Sequence, residues 1–135
     1  MGQRLRAYHF FLFALLLAPL EAAAEELDTW TPVIEHRKDM VVARLGVCES
    51  GTSAHPDRSG YLGPYQFSTR TVINYVRERD GRTLTVAEAQ ALARDEGRAA
   101  ELAKYVIFER NGQHNWPACS RKLGLAHQVK TIQVP

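Results

Sequence analysis

Cys48-Glu49-Ser50-Gly51 puts a carboxyl group beside one of only two cysteines in the chain. Asp57 follows in a turn-rich stretch, then Gly60-Tyr61-Leu62-Gly63-Pro64-Tyr65-Gln66-Phe67, and finally Trp116-Pro117-Ala118-Cys119 carries the second cysteine. A glutamate partly removed from water holds its proton to higher pH, because burial disfavours the charged form, and the carbonyl ends of a helix C-terminus act in the same direction. Such a group can deliver a proton to a leaving oxygen. Aromatic side chains nearby would offer apolar faces with polar tips, which suits pyranose rings. The chemistry these residue types permit is therefore general acid cleavage of a glycosidic bond.

A glycosidase with two carboxylates needs the second at about 5–5.5 Å for retention or about 6.5–9.5 Å for inversion. Asp57 is the candidate from the facing loop, although an aspartate beside Pro56 also suits the capping of a turn. Trp116 divides evenly between a groove wall and buried support for a cysteine bridge, whereas Tyr61, in a glycine-flanked loop, is expected at the groove. Tyr75 and Tyr105 read as core. His36, His55, His114 and His127 lack the pair spacing of a zinc site, so no metal or other cofactor is expected. No Gly-x-Ser-x-Gly elbow occurs.

The elements that must position these groups read as mainly helical. Val41, Leu45 and Cys48 recur at i, i+4, i+7 and predict a helix from about Glu35 to Cys48, with Met40, Ala43 and Val47 widening its apolar stripe and Gly51 stopping it. Glu49 then falls on the last turn. Thr52 to Gly63 is rich in turn formers and predicts a loop or short hairpin facing that helix end. Ser68 caps a helix carrying Val72, Ile73 and Val76, ended by Asp80-Gly81. Thr85-x-x-Glu88 is a capping box opening a helix to about Glu96, with Gly97 as its break. A further helix runs from Arg98 to Arg110 and closes at Asn111-Gly112. His127 to Pro135 lacks periodicity and reads as a tail.

Arg4 and Arg6 precede nine apolar residues, Phe10 to Ala18, and then Pro19 to Ala24 supplies small residues of the Ala-x-Ala kind. Nine residues reach only about 14 Å as a helix, against a hydrocarbon core of roughly 30 Å, so a cleaved export signal is expected rather than an anchor. The organisation read from sequence is thus a leader at 1–24, an irregular segment at 25–35, a catalytic domain at 36–125 and a tail at 126–135. Removing the leader takes Arg4, Arg6 and Glu21 from 17 Lys plus Arg and 15 Asp plus Glu, which leaves a formal charge of +1. A nearly neutral chain with interspersed charges argues against nucleic acid as a partner. In an oxidising compartment two cysteines allow one intramolecular pairing, Cys48 with Cys119; two free buried thiols are the alternative.

Taken in order, Cys48-Glu49-Ser50-Gly51, Gly60 to Phe67 and Trp116 to Cys119 resemble the motifs of the resuscitation-promoting-factor domain, a transglycosylase-like branch of the lysozyme superfamily. The resemblance covers roughly residues 36–125, is loose from Ser68 to Glu96, and departs at Pro64-Tyr65, where that family more often has Gly-Leu. It implies an α+β lysozyme-like fold that is mainly helical, a Cys48–Cys119 disulfide, Glu49 as the acid/base, and Gln66 lining the sugar groove. Tyr61, Tyr65 and Trp116 would be groove walls. The implied partner is bacterial peptidoglycan, cut at the MurNAc-GlcNAc β-1,4 bond by a monomer that works in the periplasm or outside the cell. The rival is a non-catalytic glycan-binding module on the same scaffold, since a fold does not dictate an activity.

Overall fold

The computed structural model describes residues 18–51 and 57–132. The chain divides between Ile34 and Glu35 into two units, and the candidate site lies wholly in the second. Most of the expected leader, residues 1–17, and residues 52–56 of the expected loop lie outside the described residues. Among the described residues, no helix is long and apolar enough to cross a membrane.

Helix α1 spans Ala18–Ser50, so the segment 25–35 is helical rather than irregular. Pro32 lies inside it. Its ring holds φ near the helical value but removes one amide donor from the ladder. Along the portion within the second unit, Val41, Val42 and Leu45 are buried while Met40, Ala43 and Val47 are exposed, so the buried stripe is narrower than the sequence predicts.

Two short strands, β1 (Tyr61–Leu62) and β2 (Phe67–Ser68), pair antiparallel, with Tyr61 opposite Ser68 and Leu62 opposite Phe67. A preceding turn brings Arg58 opposite Tyr61, with Ser59 at φ 48° and Gly60 at φ 87°. Two consecutive left-handed residues give the turn whose twist matches a hairpin. Leu62 and Phe67 face the core, and Gly63 sits so close to α3 (Val86–Arg94) that a Cβ there would lie 1.8 Å from the Ala93 carbonyl oxygen.

Helix α2 (Thr69–Asp80) begins where Ser68 accepts from the Thr71 amide and ends at Gly81. The capping box of Thr85 and Glu88 opens α3, which stops at Asp95 rather than at Gly97. Asp95 at once caps α4 (Glu96–Phe108) by accepting from the Arg98 amide at 2.8 Å, so Gly97 lies within that helix. The three helices pack on one another around Val72, Val76, Leu102, Val106 and Ile107. A 3₁₀ turn at Gln113–Asn115 leads into α5 (Pro117–Leu123), which has proline at its first position, as helices favour. Gly124 separates α5 from α6 (Leu125–Ile132). The expected tail is therefore helical as far as Ile132, with Leu125, Val129 and Ile132 buried. The mainly helical class, the small hairpin and the single disulfide match the sequence reading.

Candidate active site

Glu49 stands on the last turn of α1. Beyond it the buried Ser50 turns its hydroxyl back to the Gly46 carbonyl at 2.8 Å, and Gly51, at φ 78°, donates its amide to Val47 at 2.9 Å. The helix thus ends in the left-handed cap that glycine tolerates best. Cys48 bonds Cys119 with a Cα–Cα separation of 5.9 Å, which fastens this helix end to α5.

The half-buried Glu49 side chain opens into a cleft of about 310 Å³ whose walls are Arg58, Tyr61, Gln66, Asn115, Trp116, Pro117 and Ala118. Glu49 has no hydrogen-bond or ion-pair partner among the described residues. Burial raises its pKa above the ordinary 4.5. A carboxyl group so held is suited to donating a proton.

The remaining candidates separate. Tyr61 is 53 % exposed at the cleft edge. Gln66, at φ 49°, lies on the wall and donates from Nε2 to the Gly63 carbonyl at 2.8 Å. Trp116 meets both expectations, since one part of it lines the cleft while the residue is only 3 % exposed. Its Nε1 donates to the Tyr65 carbonyl at 2.7 Å, and its ring meets that of Phe67 edge-on at 5.4 Å.

Tyr65 is not a wall of this cleft. It is 4 % exposed and packs over Gly46, whose Cβ, if present, would lie 3.3 Å from the ring. Its hydroxyl is pushed up to about 12, mainly by burial and then by Glu96 and Glu101, so it stays protonated. It borders a separate depression of about 390 Å³ between α1 and α4. That depression and two others, of about 360 and about 600 Å³, are larger than the Glu49 cleft, but among the described residues none is lined by Glu49 or by another acid without a partner. Chemistry rather than size selects the smaller one.

Asp57 is also absent from the cleft lining. It accepts from Arg94 Nε at 2.9 Å and Nη2 at 2.8 Å, and from the Gly63 amide at 3.2 Å. Foremost the Arg94 hydrogen bond, and then the Gly63 amide, hold its carboxyl below the usual range. It sits in the turn-capping position, engaged by Arg94 and the Gly63 amide and away from the Glu49 cleft. Among the described residues Glu49 is the only acid lining the cleft. Arg58 and Asn115 are the wall residues that sequence reasoning passed over. Their signals were adjacency alone, Arg58 before a Ser-Gly turn and Asn115 before Trp116. Among the described residues no group of three metal-ligating side chains is assembled.

Comparisons of the chain with protein-family models, with curated proteins and with solved structures return no match.

Proposed function

We propose that the protein is a peptidoglycan-cleaving glycosidase in which Glu49 alone serves as acid and base. The observation that carries this reading is the Glu49 carboxyl itself: half-buried, without a partner among the described residues, raised in pKa, and facing a cleft walled by Tyr61, Gln66, Asn115 and Trp116. Protonated, it gives its proton to the bridging oxygen as the C1–O bond breaks. The carboxylate left behind then takes the proton of the group that attacks C1.

With Asp57 engaged by Arg94, the cleft offers no second carboxylate among the described residues to bear the cationic sugar. That favours stabilisation by the substrate's N-acetyl group and attack by its own 6-hydroxyl, giving a 1,6-anhydro product, as in lytic transglycosylases. The Cys48–Cys119 disulfide supports action in an oxidising compartment outside the cytoplasm.

The test is digestion of purified peptidoglycan followed by mass spectrometry of the soluble products. Wild type should release muropeptides bearing anhydro ends, one water lighter than hydrolytic ones, and Glu49→Gln should release none. Wall lysis of equal rate by the variant would end the proposal.

A further inference from the structure

We propose that Arg58 reads a carboxylate on the substrate, so that the cleft selects acidic muramyl glycan over neutral N-acetylglucosamine polymer. This rests on the reading of the Glu49 cleft as a site for wall glycan. It adds a charge requirement that the acid chemistry of Glu49 does not need.

The position of Arg58 is fixed by its backbone. It exchanges two hydrogen bonds of 2.8 Å with Tyr61, amide to carbonyl in each direction, across the tight Ser59-Gly60 turn. Its Nη2 reaches the Ser50 carbonyl at 3.5 Å, so the guanidinium lies at the end of α1, one residue beyond Glu49. That contact uses one of the five donors of a guanidinium.

The neighbouring acid does not neutralise it. Asp57 is turned to Arg94, at 2.8 Å, and Arg58 has no ion-pair partner among the described residues. Among the described residues Arg58 is also the only cation lining the cleft, and the only acid there, Glu49, is biased by burial toward its neutral form. The cleft thus presents a positive fork beside a proton donor. A planar guanidinium with free donors matches a carboxylate in bidentate fashion. On wall glycan that carboxylate has two sources: the lactyl group of muramic acid where the peptide has been removed, or the stem peptide where it remains. Chitin-type polymer carries neither.

The test uses the full chain carrying Glu49→Gln, so that binding is read without turnover. Three probes are titrated: peptide-free muramyl glycan, muramyl glycan with stem peptides, and chitotetraose. Adding Arg58→Gln should weaken binding of at least one muramyl probe about tenfold, with chitotetraose unchanged within about twofold. Arg58→Lys should recover part of the loss, and added salt should narrow the gap. Response of the peptide-free probe alone assigns the lactyl carboxylate; response of the peptide-bearing probe alone assigns the stem. Equal effects on all three probes, no effect on any, or no muramyl binding by the Arg58-containing protein would overturn the assignment. Arg58 is exposed, and matching thermal melts of the variants exclude misfolding as the cause. Survival of wall lysis in Glu49→Gln would overturn the acid role instead, and the binding comparison would still decide the role of Arg58.

Discussion

The indole Nε1 of Trp116 donates a 2.7 Å hydrogen bond to the carbonyl oxygen of Tyr65, 51 positions earlier in the chain. This bond lies in the interior and joins the hairpin to the turn before α5, so that Tyr61 and Gln66 on one side of the cleft keep their spacing from Pro117 and Ala118 on the other. Trp116→Phe keeps an aromatic ring but removes the donor. It should lower unfolding free energy by about 1–3 kcal/mol in a urea titration, as expected when a buried acceptor loses its partner. A change below about 0.5 kcal/mol would mean that another donor replaces it.

Glu49→Gln should reduce wall solubilisation by at least about a hundredfold, the lower range for a general acid. In wild type the rate should fall as pH rises through the Glu49 pKa, which lies above 4.5, because the protonated form is lost. Stability follows the same sign. A folded-state pKa raised by burial means that the folded protein binds this proton more tightly than the unfolded chain does. That contribution is complete below the unfolded value and disappears as pH rises through the folded one. The Gln variant should therefore melt higher than wild type at about pH 8 and show no such advantage at about pH 4.

Local signals were legible wherever a side chain bonds its own neighbourhood. Ser68 and Thr85 cap helices because their hydroxyls reach amides three residues on, a relationship written in the sequence itself. Glu49 at the end of α1 was legible for the same reason, through Gly51. Asp95 is less legible, since it ends one helix and caps the next within a single residue, and the nearby Gly97 offers a competing breaker signal. Leu125, Val129 and Ile132 do repeat at i, i+4, i+7, but polar residues fill the rest of α6 and only tertiary burial makes the repeat count. Which face of α1 is buried, and which of Tyr61 and Tyr65 meets the cleft, depend on partners far away in sequence. Gly46 receives the Tyr65 ring, and no local pattern announces that.

Asp57→Asn should leave wall-lytic activity within about threefold of wild type, against the 10²–10⁴-fold loss that removal of a proton-transfer group brings. Asp57 faces Arg94 and the Gly63 amide, and Asn retains an acceptor for that amide. The removed ion pair is exposed on both sides, so the change in melting temperature should be small. Loss of activity on the scale of Glu49→Gln would instead assign Asp57 to the reaction.

Gly63 and Gly60 both have positive φ, 64° and 87°, but their surroundings differ. A methyl group at Gly63 would overlap the Ala93 carbonyl oxygen at 1.8 Å, whereas nothing lies within 4 Å of one at Gly60. Gly60→Ala should therefore cost about 1–2 kcal/mol, the strain of a left-handed alanine alone. Gly63→Ala must also push the hairpin from α3 and should cost more than about 3 kcal/mol. Equal losses in denaturant titrations would show that the close approach to Ala93 relaxes freely.

The Cys48–Cys119 bridge closes 71 positions of chain, and its ends flank the cleft: Cys48 precedes Glu49, and Cys119 follows Ala118 of the opposite wall. Replacing both cysteines with alanine restores the entropy of the open unfolded chain and should lower unfolding free energy by about 4 kcal/mol. Stability in a reversible denaturant titration should drop accordingly, and wild type treated with a thiol reductant should follow the variant. Below the variant's melting range the fold persists, but the wall bearing Glu49 is no longer tied to the wall bearing Trp116. Turnover should fall there even though the acid remains, because a donor displaced by an ångström loses its line to the leaving oxygen. A double-alanine protein that melts with wild type and cleaves wall at the same rate would show that packing of the Trp116 ring against the hairpin holds the cleft without the bridge.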